Sequence, residues 1–326
     1  MSLSHALSRS AYWIRAIAAH PANRGARSAA VRRAARWHLR SRGGDAEALV
    51  TVDGRTRVIA RPGQFAAVWT LYDGVHEWEE LQFCFGFLRP GDHFVDVGAN
   101  VGVFSAFVGT RVPGVRVTAI EPFPGVMPHL RQNLAVNHLD VEVLDIAVGA
   151  EPGEVSFEIL DRDVLNRVKP GGSEGASITV PVQRLDTLFP ERTPNLIKID
   201  VEGFELKVLQ GASGLLDAED APVLLFEQVG HGIHFGVTPG DVNRYLADHG
   251  YGVYLPDHDL TPWDGDGLPP HSNLVAARDV DAVRRRLAEP NDAPVRPPVR
   301  VDVRYLRADE RRAGLDVGAL AESDRR

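Results

Sequence analysis

The chain predicts an α/β protein built on a largely parallel sheet with helices on both faces, and three observations predict it. From residue 94 onward, short apolar, β-branched runs alternate with stretches of helical apolar spacing. The first run leads into a glycine turn, Gly98-Ala-Asn-Val-Gly102. The runs also deliver carboxylates: Asp96, Glu121, Asp145, Asp200 and Glu227 stand at predicted strand ends, which a parallel sheet gathers along one edge.

Taken in order, the first 44 residues hold nine arginines and no acid; of 36 basic residues, 27 remain to face 44 acidic ones, a net charge of −17 for the rest. Leu3, Leu7, Ile14 and Ala18 share one helical face and Val31, Ala35 and Leu39 another, which reads as two short basic amphipathic helices around His20-Pro21. Such helices can pack on the acidic body, lie on an anionic membrane surface, dock a phosphorylated substrate carrier or pair with a second subunit. The acidity of the body argues against a nucleic-acid partner, because it repels a phosphate backbone.

Strand one is predicted over 94–97 with a helix to about Val108, strand two over 115–120, and Pro124 opens a helix carrying Val126, Leu130 and Leu134. Strand three covers 141–144. Alternating runs at 155–159 and 178–182 flank Gly171, Gly172 and Gly175 and predict a hairpin with a flexible loop. Strand four at 196–199, a helix from Gly203 to about Leu216, strand five at 223–226, a helix capped by Thr238-Pro239, and strands at 251–255 and 273–277 follow. Pro290, Pro294, Pro297 and Pro298 then mark a linker before a charged tail. The expected organisation is therefore a basic helical extension at 1–45, a pre-core segment at 46–93, the sheet domain at 94–288, and linker and tail at 289–326.

The single cysteine, Cys84, stands between two phenylalanines and excludes an internal disulfide, which suits core packing in a reducing cytoplasm. No uncharged run approaches the roughly 18 residues that span a bilayer, so neither secretion nor a transmembrane helix is expected.

The glycine turn predicts a nucleoside site. Gly98 and Gly102 let backbone approach a ligand, and Glu121, 25 residues after Asp96, is placed to take both ribose hydroxyls. A dinucleotide fingerprint wants glycine where Asn100 stands, and Asp96 would oppose a pyrophosphate. S-adenosylmethionine suits the turn better, because it lacks phosphate and offers an ammonium to Asp96. Asp145 is then a candidate partner for an adenine amino group, with Ile146 and Ala147 flanking the ring.

The strings FVDVGANVG, AIEPFPGVMPHLRQNLAVN, LIKIDVEGFELKVLQGA and LLFEQ resemble the FkbM-type family of S-adenosylmethionine-dependent methyltransferases over residues 76–278. HPANRGAR and HEWEELQFCFGFLRPGD also resemble the N-terminal extension of some members. The resemblance implies a class I, Rossmann-like methyltransferase sheet of seven strands with the last antiparallel. It also implies O-methyl transfer to a sugar, polyketide or other small metabolite, as in natural product biosynthesis.

An alcohol needs in-line positioning and a base to attack a sulfonium methyl. Asp200, Glu227 and His231 are the candidates; His234, like His231, reads equally as a solvated loop histidine. Alternatively Asp200, Glu227 and Gln228 hold a hard cation such as Mg²⁺ that acidifies the hydroxyl. Asn166, Trp69, Tyr72, His76 and Trp78 either line the acceptor pocket or, for the aromatics, pack beneath the sheet. Two other readings keep the architecture: an NAD-type oxidoreductase and a non-catalytic nucleotide-binding module.

Overall fold

A computed structural model of the chain describes residues 12–158, 167–168, 177–190, 193–265, 267–269 and 272–312. Seven strands form the central sheet: β1 His93–Val97, β2 Arg116–Ile120, β3 Glu142–Leu144, β4 Leu196–Ile199, β5 Val223–Glu227, β6 Gly252–Tyr254 and β7 Asn273–Ala277. Their order is β6-β7-β5-β4-β1-β2-β3. All pairs are parallel except those of β7, which runs against both β5 and β6. The strand order reverses between β1 and β4, which opens a crevice at their carboxyl ends. β1 and β4 are buried along their whole length, as strands covered by helices on both faces must be.

At the crevice the two strand ends come so close that only glycine fits. Gly98 has φ +81°, and a Cβ there would lie 1.8 Å from the carbonyl oxygen of Asp200. Gly102, φ +79°, starts the helix Val103–Arg111 and lets the helix Met127–Ala135 approach through Leu130, which a Cβ would meet at 2.5 Å. Val126, Leu130 and Leu134 are buried as their spacing predicts, although the helix begins at Met127, past the Pro124-Gly125 turn.

Several elements depart from the sequence reading. The helix expected from Gly203 to Leu216 is two, Glu205–Gln210 and Ser213–Asp217. Asp186 causes the break: its carboxylate accepts from the amides of Gly214 and Leu215 and so caps the second helix from outside. The hairpin pairs Gly153–Glu158 with Ser177–Gln183, and Asn166, Gly171, Gly172 and Gly175 lie outside the described residues.

The Pro-rich segment is not simply linker and tail. Val295 and Val299 are buried, and Val301–Tyr305 pairs antiparallel with Ala48–Val52, which in turn pairs with Thr56–Ala60 in a three-stranded sheet. The charged residues of this strand alternate with Val301, Val303 and Tyr305, the period of a half-buried strand.

The basic N-terminal segment packs on the body. Residues 12–19 and Arg27–Arg40 are helical and bury Ile17, Ala30, Ala34 and Trp37. The buried stripe lies beside the Val31, Ala35 and Leu39 face read from the sequence, leaving Leu39 63% exposed. Arg33 donates to the carbonyls of Leu71 and Tyr72 at the end of the helix Phe65–Asp73, and Asn23 donates to Asp73. The anchor is therefore carbonyl capping and apolar contact, with Arg33 alone drawn inward among the described arginines of the segment. Among the described residues no helix is long and apolar enough to cross a membrane.

Candidate active site

A cavity of about 460 Å³ opens over the carboxyl ends of β1, β2, β4 and β5. One wall is the glycine turn. Asn100 adopts φ +50°, and its amide donates to Glu121 Oε2 (2.8 Å), while the Phe123 amide donates to Oε1 (2.8 Å). Glu121 thus holds both sides of the loop, and each carboxylate oxygen keeps acceptor capacity for a ligand hydroxyl. Burial raises its carboxyl to about 7, against the lowering effect of the two amides.

Asp96 is 1% exposed and also lines this cavity. Its Oδ2 accepts from Ser105 (2.7 Å), while Oδ1 is buried without a hydrogen-bond partner among the described residues. That oxygen has the Lys198 ammonium at 3.9 Å, beyond hydrogen-bond distance, and the ammonium of an amino-acid ligand would supply the missing hydrogen bond. Gly98, Asn100, Glu121 and Asp96 together therefore fit S-adenosylmethionine.

Four of the residues assigned to that ligand do not line the cavity. Gly102 supports the packing of Leu130 instead. Asp145 is exposed and Ile146 packs against the core beneath β4 and β5. Ala147 is drawn into a short strand, Ala147–Val148, paired beside Ser177–Gln183. Phe123 and Phe157, stacked at 6.1 Å, lie at the cavity wall on that side.

The opposite wall centres on Lys198, which the sequence reading overlooked. Buried in mid-strand, its Nζ lies 2.9 Å from Asp200 and 3.9 Å from Asp96, and 4.6 Å from the Phe104 ring centre. Burial alone would lower its pKa, but Asp200, Asp96 and Glu77 outweigh it and hold the lysine charged. Asp200 is consequently a lysine-paired carboxylate. Glu77 and Glu80 join from the start of the helix Trp78–Phe87; Glu77 takes φ +51°, and withdrawal from water raises its carboxyl to about 8. A side chain held at positive φ beside a cavity is a frequent mark of a functional position.

Glu227 lines the cavity with its Oε2 buried and unpartnered among the described residues; burial, then Asp200 and Glu202, push its carboxyl well above the usual range. His231 does not line the cavity directly. Its Nδ1 lies 2.6 Å from Glu202 Oε2, and Glu202, at φ +56°, is on the cavity wall. Glu202 thus turns to His231 and not to the helix that follows, and Glu205, the first residue of that helix, accepts from the amides of Val201 and Gly203 before it. His234 is exposed.

Of the expected cation set Asp200, Glu227 and Gln228, the first two line the cavity and Gln228 does not. Asp200 pairs with Lys198, and Gln228 turns its amide to the carbonyl of Gly267. Instead Glu202, Glu227 and His231 offer ligand atoms within 4.8 Å of one another. Of the aromatics, His76 reaches the cavity, stacked at 5.4 Å on Trp69, whereas Trp69, Tyr72 and Trp78 lie outside it.

Sheet order, glycine turn and carboxyl-end cavity define a class I methyltransferase. The description "Methyltransferase FkbM domain" matches residues 96–253. The chain is 32% identical over 202 residues to the 31-O-demethyl-FK506 methyltransferase FkbM of Streptomyces tacrolimicus, covering 51% of this chain and 75% of that protein. It is 28% identical over 213 residues to the hexuronic acid methyltransferase AglP of Haloferax volcanii, covering 62% and 84%. A solved TehB-like SAM-dependent methyltransferase from Corynebacterium glutamicum aligns with 14% identity and a TM-score of 0.38, over 65% of this chain and 93% of that one. The chain belongs to the FkbM methyltransferase family, whose methyl donor is S-adenosylmethionine; the oxidoreductase reading is set aside.

Proposed function

We propose that the chain transfers the methyl group of S-adenosylmethionine to a hydroxyl oxygen of a small polyhydroxylated acceptor, a glycoside or polyketide-type product. The observation that carries this reading is the two-walled cavity, with the cofactor loop held by Glu121 on one side and acceptor-facing carboxylates around Lys198 on the other. Carboxylates accept hydrogen bonds from hydroxyls and repel anions. The wall therefore favours a neutral or cationic acceptor over a free hexuronic acid of the kind AglP is named for. The similarity to a protein named as a 31-O-demethyl-FK506 methyltransferase supports oxygen as the nucleophile.

In this reading Gly98, Asn100, Glu121 and Asp96 hold the donor, which supplies an electrophilic methyl. Asp200, fixed by Lys198, orients the acceptor hydroxyl. Glu227, with its raised pKa, takes the hydroxyl proton, and Glu202 with His231 passes it toward solvent through a ring whose side chain is 36% exposed. The test is methyl transfer from labelled donor to a panel of neutral glycosides and macrolides, with the product bond assigned by NMR. A methylated nitrogen, carbon or sulfur refutes the O-methyl assignment.

The convergence of Glu202, Glu227 and His231 favours one further possibility, a divalent cation that acidifies the hydroxyl. One nitrogen and two carboxylate donors with open positions suit Mn²⁺ or Zn²⁺ better than Mg²⁺. Calorimetric titration of these ions into the chain and into Glu202→Gln tests it; absence of binding to the unsubstituted chain excludes it.

A further inference from the structure

We propose that the N-terminal helical pair docks the chain on an anionic lipid surface. The helices of residues 12–19 and 27–40, the turn between them and the turn after them carry Arg15, Arg24, Arg27, Arg32, Arg36, Arg40 and Arg42, all exposed. Among the described residues none of the seven has a carboxylate within ion-pair distance, although the rest of the chain carries an excess of acid. The one arginine drawn inward, Arg33, is the one that anchors the pair to the body. Among the described residues the basic charge is thus presented outward without a carboxylate partner, Arg40 lying over the Tyr305 ring at 4.3 Å.

Apolar groups are exposed on the same segments. Tyr12, Trp13, Ile14 and Leu39 are each at least 40% exposed, and Phe65, 46% exposed, neighbours them. Trp13 and Ile14 border an apolar groove of about 560 Å³ between the two helices and the helix Phe65–Asp73. On the second helix Ala35 lines the groove, and Arg32, Arg36 and Leu39 follow around the solvent side. An arginine-flanked face with tryptophan, tyrosine and aliphatic side chains is the composition of a helix that lies in a headgroup layer. Charge complementarity selects the occupant: the arginines attract anionic headgroups, while the acidic body is repelled and forces the basic face toward them. A nucleic acid offers the same charge but no apolar phase for Trp13, Ile14 and Leu39.

The groove also meets the site. Phe65 borders both the groove and the active-site cavity, and Ala66 beside it lines the cavity. Docking in this orientation therefore holds a lipid-borne hydroxyl acceptor beside the carboxylate wall, a step that rests on the proposed methyl transfer, whereas the docking itself does not.

The test is cosedimentation of the full chain with phosphatidylcholine vesicles and with vesicles made anionic by phosphatidylglycerol. Binding is expected to the anionic vesicles alone, and to weaken at high salt. Arg32→Glu with Arg36→Glu should weaken it roughly tenfold or more, and Trp13→Ser should weaken it at unchanged charge. Both variants should bind S-adenosylhomocysteine as the parent does, which shows that they fold and separates this result from failure of the methyltransferase reading. Equal binding to both vesicles, no binding to either, or arginine variants that bind undiminished overturns the proposal. So does a self-association of the chain that buries this face and is abolished by the same substitutions.

Discussion

Replacing Lys198 with methionine tests the charge architecture of the site most directly. The ammonium is 3% exposed and has Asp200 at 2.9 Å and Asp96, 1% exposed, at 3.9 Å. Methionine fills similar volume but leaves both carboxylates without their cation. Removing one partner of a buried pair costs about 3–5 kcal/mol; because the Asp200 side chain is 25% exposed, solvent screens part of its share. We therefore expect a loss of about 3 kcal/mol at neutral pH, a fall in Tm of roughly 4 °C for a chain of 326 residues. The loss should shrink on acidification, since protonating Asp96, whose carboxyl burial already pushes up, removes uncompensated charge. Urea unfolding at pH 7.5 and 5.5 measures it. Addition of Asp200→Asn should recover part of the loss, a coupling that a double-mutant cycle isolates. A Lys198→Met chain as stable as the parent at pH 7.5, or one whose deficit grows on acidification, would refute the reasoning.

Gly98→Ala should abolish binding of S-adenosylhomocysteine in a thermal shift assay, because the new Cβ would lie 1.8 Å from a backbone carbonyl that closes the crevice; retained binding would show that the strand ends are not held this close. Glu202→Gln should lower kcat by about 10²–10⁴ if the Glu202–His231 pair carries the proton, with donor affinity unchanged in equilibrium dialysis. Stability should fall as pH rises from 6 to 9. Burial raises Glu121 and Glu205 to about 7, and Glu77 and Asp73 to about 8. A raised carboxyl stabilises the fold while it stays protonated, fully below its unfolded pKa, and that contribution is lost as pH passes its folded value. Differential scanning fluorimetry without ligand checks this, and a Tm that climbs over the window contradicts it. Deleting residues 295–312 should lower Tm although the segment lies far from the catalytic residues in sequence, since it removes buried Val295 and Val299 and a strand paired with Ala48–Val52.

The strands of the central sheet were legible as elements because apolar runs and glycine turns are local signals, and the resemblance carried the count of seven and the antiparallel last strand. Long-range pairings were not. Lys198 sits inside an otherwise apolar strand, a signal in itself, but its meaning needs the register that puts it opposite Asp96 on β1. Glu202 precedes a helix, where an acid ordinarily serves the helix start; its backbone at positive φ instead turns the side chain to His231, 29 residues later. Glu77 gave no local sign, since it reaches Lys198 only through the packing of the Trp78–Phe87 helix. At the C-terminus the period-two apolar pattern of Val301–Tyr305 was present, but the charges between masked it as tail.

The same long-range contacts explain why the site is so acidic. Asp96, Asp200, Glu77, Glu80, Glu202 and Glu227 surround one cavity whose wall offers a single lysine. Such an excess raises the carboxyl pKa values and costs stability in the empty chain, consistent with the shifts at Glu77 and Glu227. In the proposed complex the donor contributes two positive charges, ammonium and sulfonium, and methyl transfer removes the second. The site is thereby complementary to the donor before reaction and less so to the neutral thioether after it. Charge alone then favours binding of the donor over its product, and the acids that destabilise the free protein drive the cofactor exchange that each turnover requires.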